Sequence, residues 1–209
     1  MAKFLTGHDL ETAFTNIIWE AKETLLMVSP SIKPGDYLKK LFDKHLNNPK
    51  IHIIVVFGKN EKDSTRSMVE EDFEYFKQFL NVSMVLAPNL HAQYYANESK
   101  GLIASISLYD YSFVDNIEFG VFFERNSLMD SLKGNADHEV WDTGMKIAGE
   151  NEALFIRRPV YEKKAIAILG KNYVKSDILY DNTRKYLAVN KDESPVKKLI
   201  DFETELAPD

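Results

Sequence analysis

The chain contains no cysteine, and this absence removes several kinds of chemistry at once. Without thiols there are no disulfides, thiolate zinc sites, iron–sulfur clusters or cysteine nucleophiles. Long apolar runs are also missing, since the run from Ile53 to Phe57 is far shorter than the roughly 20 residues of a membrane helix. The first residues, Met1 to Asp9, lack the apolar stretch of a secretory signal. We therefore expect a cytoplasmic protein that makes no membrane contact.

The composition is that of an ordinary folded protein, with 209 residues, 44% hydrophobic and 28% charged. The length suggests one domain with an appendage. The net charge of −6 is unevenly spread, because residues 157–185 carry eight basic and three acidic side chains. This basic segment is open to two interpretations: a solvated helix face, or a surface that contacts the phosphates of a nucleic acid.

Apolar spacing predicts helices alternating with strands in the first part of the chain. Residues Leu10 to Ala21 repeat at helical intervals and lead into a strand at Thr24–Ser29, while Ile51–Phe57 is typical of a strand buried on both faces. Four further strands are predicted, at Val82–Leu86, Leu90–Tyr95, Leu102–Ile106 and Ile117–Phe123. This order predicts an α/β sandwich whose mixed sheet is flanked by helices.

After Glu124 the pattern becomes mainly helical. Ser127 is a candidate cap for a helix that reaches Ile147, and Pro159 is a candidate first residue for a helix that ends near Gly170. Ser194 begins a last amphipathic helix. We therefore predict an α/β domain over residues 1–125 and a helical extension over residues 126–209 that packs on it.

Common cofactor and metal signatures are absent from the sequence. There is no Gly-x-Gly-x-x-Gly, no phosphate-binding Gly-Lys-Ser/Thr loop and no His-Glu-x-x-His pair. The acidic run Asp137-His138-Glu139 with Asp142 has poor spacing for a metal on a helix and is better explained as a solvated face. We predict no metal site and no cofactor.

Polar side chains cluster on two consecutive predicted strands. Strand alternation sends His91, Gln93 and Tyr95 to one face, and Ser105 and Ser107 share a face of the next strand. If the two strands are neighbours, a histidine, an amide and two hydroxyls meet at one end of the sheet, where Glu118 on the following strand can join them.

This arrangement resembles the phospholipase D superfamily, whose signature is histidine, one residue, lysine, four residues and aspartate, followed by a Gly-Ser-x-Asn segment and an acid on the next strand. His91 matches the histidine, Glu98 falls at the aspartate position and Ser105 matches the serine. Glu118, within Asn116-Ile117-Glu118-Phe119-Gly120, matches the acid. The resemblance covers roughly residues 5–125.

The sequence departs from the signature at two positions. Gln93 stands at the lysine position and Ser107 at the asparagine position, so the neutral side chains of Gln93, Ser105 and Ser107 are left to hold phosphate oxygens. Losing one such donor commonly slows catalysis about 100–1,000-fold. Lys59, Arg66 and Lys100 are candidates to supply the missing charge.

The resemblance implies a homodimer, because the chain holds one copy of the signature and single-motif relatives pair two copies across a twofold axis. It implies a metal-independent phosphodiesterase or nuclease, with His91 as nucleophile in one protomer and general acid in the other, and with Glu98 or Glu118 orienting it. Nucleic acid or another phosphodiester is the expected substrate. The alternative is a catalytically silent dimeric module of the same fold that binds a phosphate ligand or a partner protein.

Overall fold

The computed structural model describes residues 2–58, 67–109, 116–125, 136–163, 170–187 and 195–207. The strands are β1 (Lys3–Thr6), β2 (Thr24–Ser29), β3 (Ile32–Lys33), β4 (His52–Phe57), β5 (Val82–Leu86), β6 (Tyr94–Asn97), β7 (Lys100–Ala104), β8 (Leu108–Tyr109), β9 (Phe119–Glu124), β10 (Glu152–Lys163) and β11 (Lys171–Asp181). The helices are α1 (Gly7–Glu20), α2 (Asp36–Asp43), α3 (Glu70–Phe76), α4 (Ala136–Glu150) and α5 (Thr183–Leu187), with a 3₁₀ turn at Leu199–Asp201. None of these helices is long and apolar enough to cross a membrane.

Nine of the described strands form one sheet in the order β1-β9-β7-β6-β2-β4-β5-β10-β11. The central strands β2, β4 and β5 are parallel, and the flanking pairs are antiparallel. In β4 every residue after His52 is buried, which is why its sequence is a continuous apolar run and not an alternation. The predicted mixed sheet is confirmed.

Helices cover both faces of this sheet. Leu10, Phe14 and Ile17 of α1 are buried in one apolar cluster together with residues of α2 and α3. On the opposite face, Trp141 and Ala148 of α4 belong to a second cluster that includes alternate residues of β2 and β4. Because strand side chains alternate, the sheet can bury both faces only when helices lie on each side. The predicted α/β fold class, a mixed sheet flanked by helices, is therefore confirmed.

The C-terminal segment differs from the predicted, mainly helical extension. Residues 159–163 lie in β10, which pairs with β5 on one side and β11 on the other. The open edge of β5 offers backbone partners to an extended chain, and this pairing overrides a weak helical pattern. The last predicted helix is reduced to the 3₁₀ turn, and α4 begins at Ala136. The predicted cap Ser127 and the stretch 164–169 lie outside the described residues, and the division after residue 125 stays a prediction.

A buried arginine fixes the last described residues to β10. Arg158 is 1% exposed, and burial lowers its pKa to about 10. Its guanidinium donates hydrogen bonds of 2.8–3.2 Å to Ser83 Oγ and to the carbonyl oxygens of Val82, Arg157 and Glu203. Beside it, the Leu206 N–H donates to Pro159 O and the Tyr161 N–H donates to Leu206 O, both at 2.9 Å. The C-terminal segment is thus built into the side of the sheet.

Candidate functional site

The candidate site lies where three antiparallel neighbours, β6, β7 and β9, meet at one end of the sheet. β6 pairs with β7 through Tyr94 and Ile103, and β7 pairs with β9 through Ala104 and Gly120. The start of β6, the end of β7 and the start of β9 therefore share this end. The segments just outside these strand ends carry His91, Gln93, Ser105, Ser107 and Glu118.

Gln93 and Ser107 are directly hydrogen-bonded to each other. The Gln93 Nε2 donates to Ser107 Oγ at 3.2 Å, and Gln93 is further tied to the end of β7 by a 3.4 Å bond from the Ala104 N–H to its carbonyl oxygen. The other side-chain atom, Gln93 Oε1, is buried and accepts no hydrogen bond from the described residues. A buried amide oxygen without a donor is unusual, since such groups nearly always have a partner.

A second hydrogen-bonded pair joins Ser105 to Glu118. The Ser105 hydroxyl donates to Glu118 Oε2, and it accepts from the Phe119 N–H at 3.1 Å. This contact closes the gap between the last residues of β7 and the first of β9. The carboxylate of Glu118 therefore lies at the same end of the sheet as the Gln93–Ser107 pair.

His91 precedes β6 and is exposed. Within the described residues, no hydrogen bond joins its ring to another group, so its nitrogens are open to a ligand. Its place is set by the turn before it: Asn89 has a positive φ of 60°, and the Ala87 N–H donates to Phe57 O at 2.8 Å. Gly58 packs under this turn, where an added Cβ would lie 3.0 Å from Leu90 O. The predicted strand at Leu90–Tyr95 consequently begins only at Tyr94.

Glu98 lies at the opposite end of β6 from His91, so the predicted orienting contact between them is not formed. Its carboxylate accepts hydrogen bonds from the backbone N–H groups of Lys22, Glu23 and Thr24 at 3.0, 3.2 and 3.3 Å. The four residues of β6 separate the two ends by about 10 Å, at roughly 3.3 Å per residue. Glu98 therefore holds the connection between α1 and β2, and Glu118 is the acid that remains near the site.

The candidates for a compensating positive charge do not reach the Gln93 position within the described residues. Lys100 lies at the far end of β7, where its ammonium forms an ion pair with Glu20 at 2.5 Å. Lys59 and Arg66 lie outside the described residues. The phosphate-holding groups described at this end of the sheet are therefore neutral.

The basic segment 157–185 is mostly strand, not a solvated helix face. Arg158 is buried, and Arg157 donates to Lys77 O at 3.1 Å. Lys171 and Lys175 form ion pairs with carboxylates of Glu205 and Asp177. Arg158 is therefore not on a surface that could contact a polyanion, because its guanidinium is buried and donates its hydrogen bonds within the chain.

Asp137 is also not on a solvated face. It is 5% exposed and forms an ion pair with Arg125, whose Nε lies 3.0 Å from Asp137 Oδ2. The Arg125 guanidinium stacks 4.1 Å from the Trp141 ring centroid. Burial raises the pKa of Asp137, opposed by the Arg125 charge. No group of three histidine or acidic side chains in the described ranges is arranged to hold a metal ion.

Two supporting features were not predicted from the sequence. Tyr95, fully buried, donates its hydroxyl to Ile106 O at 2.5 Å and so fixes the segment between Ser105 and Ser107. A cavity of about 390 Å³ opens beside Gln93, between the start of β6 and α4, with mostly apolar walls such as Val28 and Ile147. For Tyr95, the available signal in the sequence was the strand alternation that places it on the same face as His91. The cavity could not be predicted, because it depends on where α4 lies.

The sheet order, the helices on both faces and the polar end of β6–β7–β9 define a phospholipase D-type fold, and the predicted resemblance is confirmed for the fold. The chain is similar to Nuc, a phospholipase D family member from Salmonella typhimurium, with a TM-score of 0.52, 12% identity, and coverage of 73% of this chain and 98% of that one. For NucT from Helicobacter pylori the TM-score is 0.54, with 10% identity and coverage of 72% and 97%. For phosphatidylserine synthase from Haemophilus influenzae it is 0.57, with 12% identity and coverage of 73% and 39%. No protein-family model and no curated protein sequence matches the chain.

Proposed function

We propose that the protein is a phosphodiesterase of phospholipase D type with reduced catalytic competence. The observation that supports this most is the joint position of an exposed His91 and the hydrogen-bonded Gln93–Ser107 pair at one end of the sheet. These three groups supply a nucleophile and two neutral phosphate ligands at the same end of the sheet. Phosphoryl transfer depends mainly on positioning and on stabilising the charge of the equatorial oxygens.

In the proposed reaction, a ring nitrogen of His91 bonds to phosphorus while the bond to one ester oxygen breaks. His91 of a second protomer gives its proton to that leaving oxygen, and water then releases the phosphate from the first histidine. Gln93, Ser105 and Ser107 hold the phosphate oxygens, and Glu118 orients His91. The mechanism needs a homodimer that pairs the two sites across a twofold axis, and no metal ion.

Reduced competence follows from the chemistry of Gln93. Its Nε2 already donates a hydrogen bond to Ser107 Oγ, and a neutral amide cannot offset the negative charge that develops on the phosphate. Replacing a cation by a neutral donor at such a centre lowers the rate by a factor of about 100–1,000.

A catalytically silent, phosphate-binding dimer is the second candidate, and the pairing of the site groups favours it. Gln93 Nε2 donates to Ser107 Oγ and the Ser105 hydroxyl donates to Glu118 Oε2, so both groups already have an acceptor within the chain. A phosphate would have to displace these contacts. Such a site holds an anion weakly and gives little stabilisation to a transition state.

The proposed substrate class is a nucleic acid or another phosphodiester with one bulky substituent. The cavity of about 390 Å³ beside Gln93 gives room for that substituent, and its volume falls in the range of small-molecule sites. Exposed cations of the basic segment, such as Lys163 and Arg184, are the groups left to contact a nucleic-acid backbone.

Gln93→Lys tests the proposal. A lysine ammonium at this position adds the missing charge, so turnover of a chromogenic phosphodiester should rise about 10-fold or more. The double variant Gln93→Lys/Ser107→Asn should gain more turnover than Gln93→Lys alone. The two effects should not simply sum, because both side chains contact one phosphate. His91→Ala sets the background, and Gln78→Lys, an exposed glutamine on the far side, adds the same charge as a matched control.

The outcomes separate the two candidates. Turnover that rises with Gln93→Lys, survives EDTA and vanishes with His91→Ala supports the enzyme. If the double variant stays folded and dimeric but does not exceed the His91→Ala background, the silent module replaces the enzyme. A strict monomer in light scattering at all concentrations contradicts the two-histidine mechanism.

A further inference from the structure

The edge strand β11 is an unpaired end of the sheet in the described part of the chain. It is the last strand in the sheet order, and no bridge lies on its outer side in the described ranges. It is 11 residues long and carries exposed apolar side chains, with Val174 46% and Ile178 60% exposed. Long exposed edges of this kind pair readily with another strand.

The backbone groups that point outward from β11 follow from the hydrogen bonds of β10. Pro159 has no N–H, and its carbonyl accepts from the Leu206 N–H on the side of β10 away from β11. Pro159 is opposite Ser176, so this antiparallel pair is not hydrogen-bonded. The N–H and C=O of Ser176 therefore face the open edge, and those of Ile178, two residues on, face it as well.

The sequence of β11 is complementary to itself in the register centred on Ser176. Two antiparallel copies in that register place Lys175 opposite Asp177, inside the regular stretch from Lys175 to Ile178 that lies between the two β-bulges of the β10–β11 pair. Opposite charges that face each other across strands stabilise a sheet. Moving the twofold axis to residue 175 places two Lys175 side chains opposite each other, and moving it to residue 177 does the same for two Asp177 side chains. Both arrangements are repulsive.

We propose that β11 is a self-association surface, and that two copies of this chain pair through it, antiparallel, about a twofold axis at Ser176. The central Ser176 pair exchanges two backbone hydrogen bonds, and each Lys175 contacts Asp177 of the other copy in addition to its own Asp177, which lies 2.9 Å away. The two nine-stranded sheets then form one continuous sheet.

This contact is distinct from the dimer of the proposed function. β11 is five strands away from β6, about 24 Å at roughly 4.8 Å per strand, so the axis leaves the two His91 side chains about 50 Å apart. The inference does not rest on the proposed activity. If both contacts form, two different twofold axes in one chain give a tetramer or an open chain of copies, not a dimer.

Charge exchange tests the register. Lys175→Asp or Asp177→Lys alone puts like charges opposite each other twice, and should raise the dissociation constant measured by sedimentation about tenfold or more. The double variant Lys175→Asp/Asp177→Lys restores opposite signs at both places and should restore association. Lys163→Asp, a charge reversal at an exposed lysine of β10, is the matched control. The proposal is overturned if the dissociation constant is unchanged in the single variants, or if the double variant does not restore it.

A cysteine pair provides an independent test because the chain has none of its own. Ser176→Cys should form a disulfide-linked dimer rapidly on oxidation, since the Cα atoms of an opposed hydrogen-bonded pair lie about 5.5 Å apart. Ile178→Cys, on the same strand, places the two cysteines about 14 Å apart in this register and should not. Equal cross-linking of both variants overturns the proposal, and a dimer insensitive to both cysteines leaves only the motif-face contact.

Discussion

Arg158 gives the strongest stability prediction, because a fully charged guanidinium is buried with four hydrogen bonds to the chain. Its acceptors come from three separate places: the start of β5, the strand β10 itself and the C-terminal segment at Glu203. Burial lowers the pKa of Arg158 to about 10, which corresponds to a desolvation cost on the order of 3 kcal/mol. The four charge-assisted hydrogen bonds, at about 1.5–3 kcal/mol each, exceed that figure.

Replacing Arg158 by methionine keeps most of the volume and removes every donor. All four acceptors then lose a donor, and the bonds to Val82 O and Ser83 Oγ are buried, so we expect the free energy of unfolding to fall by about 3–5 kcal/mol. The neighbouring Arg157 is the matched control, since it donates to Lys77 O and Gln78 O from a partly exposed position where water can substitute. Arg157→Met should lower the free energy by about 1 kcal/mol or less.

Urea unfolding at constant pH, followed by far-UV circular dichroism, measures both variants against the unchanged chain. The slope of the free energy with urea should stay constant, because the surface exposed on unfolding is nearly the same. Similar losses for Arg157→Met and Arg158→Met would refute the reasoning. So would a loss below about 1 kcal/mol for Arg158→Met, because the four bonds would then contribute no more than their desolvation.

Two further predictions concern partly buried groups on the first part of the sheet. Burial and the nearby Arg158 charge hold the pKa of His52 well below 6.5, so its contribution to stability is complete above about pH 6.5 and is lost as the pH falls below it, by up to about 1.4 kcal/mol per pH unit. When unfolding is measured from pH 8 to pH 5, His52→Gln should lose less stability than the unchanged chain. The exposed control His8→Gln should lose as much as the unchanged chain. Glu98→Ala leaves the N–H groups of Lys22, Glu23 and Thr24 without their protein acceptor, and because water can reach two of them it should destabilise the fold by about 1 kcal/mol in thermal or urea unfolding. Glu23→Ala, a neighbouring exposed glutamate, should have almost no effect, and equal losses would contradict the structural role of Glu98.

The elements that local pattern determines were predictable from the sequence. The apolar spacing from Leu10 to Ile18 specifies one face of α1, and the unbroken run in β4 specifies a strand covered on both sides. The meeting of Gln93 and Ser107 at one end of the sheet was also predictable, because two consecutive antiparallel strands bring the residues before the first and after the second together. Strand alternation does not apply to this pair, since both residues lie outside β6 and β7.

The roles that depend on distant partners could not be predicted. Glu98 has the spacing of the signature aspartate, yet its carboxylate binds backbone groups about 75 residues earlier in the chain. Arg158 stands in a basic stretch that suggests a surface, and only the approach of Glu203 and Val82 makes it an interior group. Asp137 is likewise buried by Arg125, which no short-range pattern links to it.

The position of β10 between β5 and β11 has a consequence for biosynthesis. About 65 residues separate Leu86, the end of β5, from Glu152, where its partner strand begins. At about 5–20 residues per second, a ribosome needs roughly 3–13 s to supply that partner. Throughout this interval the nascent chain carries an apolar strand with one unpaired edge, which is a template for other nascent chains. The yield of folded protein should therefore depend on elongation speed between these two points, and rare codons placed there should increase aggregation during expression.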